Sequence, residues 1–361
     1  METPYEPKTL QEAICYFSDA SNCLNYVAAK RWPKGVTCPT CGSPKVSFLA
    51  NQDRWQCSSH HPKRQFSVKV GTIFEDSPLG LETWLPAVWL LTNCKNGISS
   101  WEIHRALDVT QKTAWFMLHR VRLAMQDKQT GGKLAGEVEV DETFIGGKAR
   151  FMHKDRKERR RAGRSKAPGP DGKAIVAAVL ERGGRVRATV VEKRRKPQLQ
   201  ELVRANVEPG SNLYSDELKS YEGLEKDYVH QVIDHAECYV QGQVHTNGME
   251  NFWSLRKRGL NGTYVSVEPY HLFRYVDEEA FRFNERRDEQ GDSGRFGKVV
   301  SQIVGKRLTY KELTGKVGEN ASPSILGKVA GSGRLELSLR PAPVRILERL
   351  LSISPFAAYK R

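Results

Sequence analysis

The sequence predicts an α/β protein with two smaller modules ahead of its sheet, and three observations carry that expectation. First, Glu137–Phe144 (EVEVDETF) alternates acidic and apolar residues with the period of a strand. Second, KAIVAAVLE and RVRATVVE form a hairpin pattern across Gly183 and Gly184, and a helical stretch from about Pro197 to Ala205 then leads into the strand NLYSDE, which ends at Asp216. Third, strand, hairpin, helix and strand follow one another in an order that builds an α/β layer, with acids on two of the strands.

The N-terminal part reads differently. Over residues 8 to 30, Leu10, Ala13, Ile14, Phe17, Cys23, Leu24, Val27 and Ala28 recur mostly at helical spacing. From Trp32 to Phe74 the chain is broken by Pro33, Gly35, Pro39, Gly42, Pro44 and Pro62. Helical periodicity returns from about Leu79 to Gln126 and divides into three helices, after which QTGGK (129–133) reads as a linker. The expected organisation is a helical segment (1–30), a metal ribbon (31–78), a helix-turn-helix region (79–128), a catalytic domain (134–288) and a C-terminal extension (289–361). Beyond Asp288 the text is Gly- and Ser-rich and weakly periodic, which predicts a loosely ordered tail with a short helix near Val344–Leu351.

A length of 361 residues with 39% hydrophobic content suits two or three domains with real cores. The 57 Lys+Arg against 42 Asp+Glu leave a formal charge of +15, which draws the chain toward a polyanion and makes nucleic acid the leading partner; an ordinary basic enzyme is the bland alternative. No stretch approaches the ~18 apolar residues of a membrane span, and the first residues lack the basic and apolar regions of a leader, so a cytoplasmic, nucleoid-associated protein is expected.

Of seven cysteines only Cys38, Cys41 and Cys57 lie close together, while Cys15, Cys23, Cys94 and Cys238 fall in or beside apolar runs as small core residues do. CPTC presents two thiolates to one tetrahedral zinc, and CSSH adds Cys57 and His60 at the same spacing, with His61 as the alternative. A closed four-ligand site is structural, and it supplies roughly 10 kcal/mol or more of folding energy to a segment too poor in apolar residues to fold unaided.

In GISSWEIHRALDVTQKTAWFMLHRVRLAM two helices meet at a short turn around Asp108–Thr110. As a helix-turn-helix it places Gln111, Lys112 and Thr113 at a major groove, with Arg120 and Arg122 nearer the DNA backbone. The alternative is a structural three-helix unit.

Asp141 and Asp216 lie on strands, each followed by another acid, Glu142 and Glu217. A carboxylate in or at the end of a core strand is costly unless something compensates it. The string HTNGMENFWSLRKRGLNGTY predicts a helix over about Asn247–Arg258, with Asn247, Glu250, Ser254 and Lys257 on one face and Met249, Phe252 and Trp253 on another. Three acids on separate elements provide the hard oxygen ligands of a two-Mg²⁺ phosphoryl-transfer site.

The strings VDETFIGGK, SDE and HTNGMENFWSLRKRGLNGTY, followed by HLFRYVDEEAFRFNER, resemble the DDE transposases of bacterial insertion sequences, in the group with an N-terminal zinc ribbon. The resemblance spans roughly residues 8 to 315, including GTIFEDS at 71–77. It implies a ribonuclease H-like catalytic domain, dependence on Mg²⁺ or Mn²⁺, cleavage of element ends by water and attack of the freed 3′-hydroxyl on target DNA. Carried over, the first two metal ligands fall on Asp141 and Asp216 and the third on Glu250, with Asn247 or Asn251 as alternatives because some relatives use asparagine; Lys257 matches the basic residue seven positions after that glutamate. Two features depart from the pattern: the tail from about Gly318, and the Cys-His second knuckle where many ribbons have Cys-Cys.

The run KARFMHKDRKERRRAGRSK, with Arg159, Arg160 and Arg161, has ten Lys/Arg against two acids over residues 148–166. It reads as a phosphate-binding loop or, more blandly, a solvated one. HLFRYVDEEAFRFNER reads as a helix on the catalytic sheet whose Arg274, Arg282 and Arg286 are placed to line a DNA channel. Together these features predict a transposase that binds the terminal inverted repeats of its element and cuts and joins DNA, working at least as a dimer because two ends are handled together. The rivals are a DNA-binding regulator with structural acids and a degenerate, inactive transposase.

Overall fold

In the expected α/β region, β4 (Glu137–Ile145) buries Val138 and Val140 on one face and turns Glu139 and Asp141 to the other, as strand geometry requires. The computed structural model describes residues 4–126, 132–146, 158, 173–216, 219–233, 246–265 and 267–315, all within a compact unit Met1–Gly318. The linker residues 129–131, the basic run with Arg159, Arg160 and Arg161, Glu217, Cys238 and the terminal helix expected near Val344–Leu351 lie outside them.

β4 pairs antiparallel with β5 (Ala174–Glu181), and β5 antiparallel with β6 (Val186–Val191). On its other side β4 pairs parallel with β7 (Asn212–Asp216), which pairs parallel with β8 (Val229–Ile233), giving the order β6-β5-β4-β7-β8. Strand β5, between β6 and β4, is buried throughout Ala174–Leu180, in keeping with a strand covered on both faces.

One cover is α6 (Lys196–Asn206), whose Leu199 and Val203 pack with Val138, Val140, Val179, Leu213 and Tyr221. The other is α7 (Asn247–Arg258) with α8 (Leu272–Asn284), which bury Met249, Phe252, Trp253, Val276 and Phe283 against Val176, Ala178 and Leu180. The last basic string is thus a helix on the sheet, as its pattern implies.

A second core gathers α1 (Leu10–Phe17), α2 (Ala20–Arg31), α3 (Leu81–Asn93), α4 (Ser100–Leu107) and α5 (Gln111–Met125). Thr9, Asp19, Ser99 and Thr110 cap four of these helices through side-chain oxygens, which explains where each begins. The ribbon strands β1 (Val46–Leu49), β2 (Arg54–Cys57) and β3 (Gln65–Phe66) form a separate antiparallel sheet. Among the described residues no helix is long and apolar enough to cross a membrane.

The expectation of a loose tail from Asp288 fails for the described part of that segment. Gly291–Ser301 is a helix, α9, and Phe296, Val299, Val300 and Ile303 are fully buried in the N-terminal core. Phe296 meets the rings of Phe17, Tyr26 and Trp89 at 5.5, 5.5 and 5.1 Å. Its glycines misled because they read as breakers, yet Gly291, Gly294 and Gly297 all lie within the helix, which is held by its buried apolar face. Phe296→Ala is expected to cost about 3–5 kcal/mol in denaturant unfolding of the whole chain; a variant within ~1 kcal/mol of the parent would show that α9 is dispensable to the core.

Candidate active site and metal centre

The parallel pairing of β4 and β7 sets Glu137 opposite Asn212, Val138 opposite Leu213 and Glu139 opposite Tyr214. Two residues further on, Asp141 and Asp216 come level on strands whose axes lie about 4.8 Å apart. Asp141 Oδ1 accepts the Glu142 backbone N–H at 2.7 Å, and Oδ2 accepts the indole N–H of Trp253 at 2.8 Å. Glu142 points to the other face, where the Tyr221 hydroxyl donates to it at 2.6 Å and the Arg194 guanidinium bonds its second oxygen. Arg194 Nη2 also stands 3.8 Å from Asp216, so one cation spans both acids.

Burial, reinforced by the neighbouring charges of Glu142 and Asp216, pushes the Asp141 carboxyl up to about 7 against the pull of its two hydrogen bonds. Hard oxygens gathered where negative charge is disfavoured suit a divalent cation, which relieves the repulsion. In the metal-free protein the sign follows directly. The folded state holds the Asp141 proton more tightly than the unfolded state, so ionising it costs stability as pH rises from about 4 to about 7. The melting temperature of Asp141→Asn should therefore gain on the parent across that window, in parallel melts without divalent ions. A constant difference between the two would contradict the shift.

Helix α7 brings Glu250, Ser254 and Lys257 to one flank, four and three residues apart. Together with Arg258, Asn261 and Gly262 they line a cavity of about 770 Å³ that Asp141, Glu142 and Thr143 also line. Met249, Phe252 and Trp253 are buried on the sheet side, as their spacing implies. Asn247 and Asn251 are exposed and are not among the residues lining the cavity; nor is Asp216. The Trp253 bond to Asp141 and the Tyr221–Glu142–Arg194 bracket escaped sequence reasoning, because each joins residues more than fifty positions apart.

In the ribbon, Cys38, Cys41, Cys57 and His61 bring their ligand atoms within 4.8 Å of one another. The Cys41 and Cys57 sulfurs are 3.6 Å apart, and Cys38 Sγ lies 3.4 Å from His61 Nε2. Tetrahedral zinc with bonds of about 2.3 Å requires sulfur separations near ~3.8 Å, so the four groups fit that ion. His61, not His60, completes the set: the Ser59 N–H bonds back to Cys57 Sγ at 3.4 Å as the chain turns, and His60 is left exposed. His61→Ala should lose stoichiometric zinc by elemental analysis and His60→Ala should keep it; the reverse result would restore the two-residue spacing.

The turn between α4 and α5 is made by Asp108 in the left-handed region, φ 50°. At the start of α5 the Gln111 amide donates to Ser100 at 2.9 Å, Lys112 lies 4.7 Å from the Tyr310 ring centroid, and Thr113 bonds the Thr110 hydroxyl at 2.8 Å. Only this first turn keeps polar groups at the surface. Arg120 is not placed for DNA: it is 4% exposed, donates to the Leu308 carbonyl at 3.0 Å and lies over Phe116. Arg122 is likewise buried, 2.5 Å from Glu278. Arg274 pairs with Asp277, and Arg282 with Glu278 and Glu279, so these two do not line a channel either; Arg286 is exposed, stacked on Phe283.

A five-stranded sheet with its first strand central, helices on both faces and acids on its first and fourth strands defines a ribonuclease H-like domain. Residues 133–284 match the family model of the ISXO2-like transposase domain, and residues 18–60 that of the transposase zinc-ribbon domain. The chain is 30% identical over 101 residues to a transposase-like protein of Haemophilus influenzae, covering 28% of this chain and 81% of that one. It is 27% identical over 255 residues to a protein in transposable element ISH50 of Halobacterium salinarum, covering 68% and 84%. The chain belongs to the zinc-ribbon, ISXO2-like transposase family. A simian T-cell lymphotropic virus intasome, solved in complex with PP2A regulatory subunit B56 gamma, matches 48% of this chain and 63% of that one at 11% identity and a TM-score of 0.25, too loose a likeness to bear on the site.

Proposed function

We propose that this transposase binds the terminal inverted repeats of its own insertion sequence and, with Mg²⁺ or Mn²⁺, cleaves and transfers DNA strands at Asp141, Asp216 and Glu250. The observation that carries the reading is the level placement of Asp141 and Asp216 on adjacent parallel strands, with Glu250 and Lys257 lining the cavity that Asp141 lines. Glu250 is preferred to Asn247 and Asn251 because it lines that cavity and carries the charge a hard cation favours.

When bound by these acids, divalent ions activate the attacking oxygen and stabilise the leaving one. The chain's own groups do the rest. Trp253 holds the Asp141 carboxylate through its indole N–H, and Arg194 steadies Asp216 from the other face. Lys257, about 10 Å along the helix from Glu250, meets a phosphate, with Arg258 and Asn261 beside it. Gln111, Lys112 and Thr113 offer base contacts, while Arg159, Arg160 and Arg161 add salt-sensitive, sequence-blind affinity. Zinc staples the ribbon and takes no part in the chemistry. Two ends in one reaction call for at least a dimer.

The test uses labelled DNA carrying the element's inverted repeats, with and without Mg²⁺. Asp141→Asn and Asp216→Asn should bind the ends as the parent does while cleavage and joining fall below detection. Undiminished strand transfer by either variant, or end binding by the parent without metal-dependent nicking, would sink the assignment; the second outcome is the one a DNA-binding regulator or an inactive copy gives.

A further inference from the structure

We infer that Glu139 is a positioning residue of the acid site, anchoring the first turn of α7 to β4 so that Glu250 is seated opposite Asp141. The inference deepens the strand-cleavage reading and rests on it. Glu139 is 1% exposed and lies two residues before Asp141, so both side chains leave β4 on the face that α7 covers. A carboxylate buried so fully must be compensated. Two of its contacts do so: Oε1 accepts Arg182 Nε at 2.9 Å, and Oε2 accepts the Met249 backbone N–H at 2.8 Å.

Met249 is the third residue of α7, and its N–H is one of the donors that a helix leaves without an internal acceptor. A local cap normally satisfies such a donor, but the residue preceding this helix, Thr246, makes no side-chain capping bond. Glu139, more than a hundred positions earlier, does so instead, and its charge complements the positive end of the helix. Gly248 makes the approach possible. A Cβ at that position would lie 2.6 Å from Leu180 Cδ2 and 2.8 Å from Glu139 Oε2.

One turn later Trp253 donates to Asp141, so β4 grips α7 twice, at residues 249 and 253, which share a face of the helix. Two such bonds fix both the axial position and the roll of α7. A slip of one residue would shift Glu250 by about 1.5 Å and turn it by about 100°, out of the cavity it lines with Asp141. Arg182 extends the brace: it bonds Glu137 at 3.0 Å and stacks on Tyr214, which stands two residues before Asp216 on β7. The same ion pair that compensates Glu139 therefore also touches the strand bearing the second acid.

The experiment compares the full-length parent with Glu139→Ala, Glu139→Gln and Gly248→Ala in three measurements: metal-free melting, Mn²⁺ affinity from the electron paramagnetic resonance of free Mn²⁺, and end cleavage at varied DNA. Glu139→Ala should lose roughly 10- to 100-fold in Mn²⁺ affinity and a similar factor in kcat, with the KM for end DNA unchanged. Glu139→Gln keeps an oxygen for the Met249 N–H and should stand closer to the parent. Gly248→Ala leaves the carboxylate in place but pushes the helix off it, and it should reproduce the loss; it carries the test if Glu139→Ala does not fold. Folded variants with parental Mn²⁺ affinity and kcat would overturn the inference. A parent that binds Mn²⁺ in a Glu139-dependent way yet never cleaves would refute the strand-cleavage reading and leave the positioning role standing. A parent that binds no Mn²⁺ would refute both.

Discussion

The parallel pairing of β4 with β7 is the constraint on which the acid site depends. Strands that run side by side in register bring residues of equal rank level with one another, and a slip of one residue would send the second acid to the opposite face. What holds the register lies below the acids. Leu134 donates to the Asn206 carbonyl and accepts from the Glu208 N–H, both at 2.8 Å, so the chain leaving α6 is stitched to the chain entering β4 before either strand begins. Above that stitch, Leu199 and Val203 of α6 are buried with Val138, Val140 and Leu213, and this apolar contact sets the crossover between the two strands. The site is thus a product of packing on the face of the sheet opposite α7.

Local pattern made much of this legible. The alternation in EVEVDETF, the glycine pair between β5 and β6, and the apolar spacing of Met249, Phe252 and Trp253 each act within a few residues, and each marks an element that the fold contains. What could not be read was tertiary. Nothing in the text pairs Asp141 with Trp253, or Glu139 with Met249, because strand register and helix seating depend on contacts across the whole domain. Arginine was misread for a related reason. On an isolated helix Arg120 reads as a surface cation, but α5 is packed by α3, α4, α8 and α9, and its guanidinium finds a carbonyl almost two hundred residues away. The choice between His60 and His61 turned on the path of one short turn, which spacing alone does not specify.

The buried charges have a structural meaning of their own. Arg122 of α5 and Glu278 of α8 are each no more than 1% exposed; Arg282 and the Tyr264 hydroxyl also engage Glu278, and the rings of Tyr264 and Tyr275 flank Arg122. Such a cluster adds little to net stability compared with an apolar equivalent, yet removing one partner strands the other and typically costs about 3–5 kcal/mol. It therefore favours a single way of joining the N-terminal helices to the layer that covers the sheet. Alternatives with those charges unpaired are penalised, and cations that the composition would assign to a polyanion are spent holding the protein together.

The place of α9 bears on how the molecule is made. The N-terminal helices emerge first from the ribosome, but the core they form stays open until Phe296 and Ile303 have been added. From the end of α5 at Met125 to Ile303, at about 5–20 residues per second, that wait is roughly 10 to 35 s. Through that interval Phe17, Tyr26 and Trp89 have no ring of α9 to close over them. A chain cut short within the catalytic domain would keep that gap for good. Translation to the end of the sheet's coverings is therefore a condition for closing the core of the N-terminal helices, and a product ended before α9 would leave that apolar interior open to solvent.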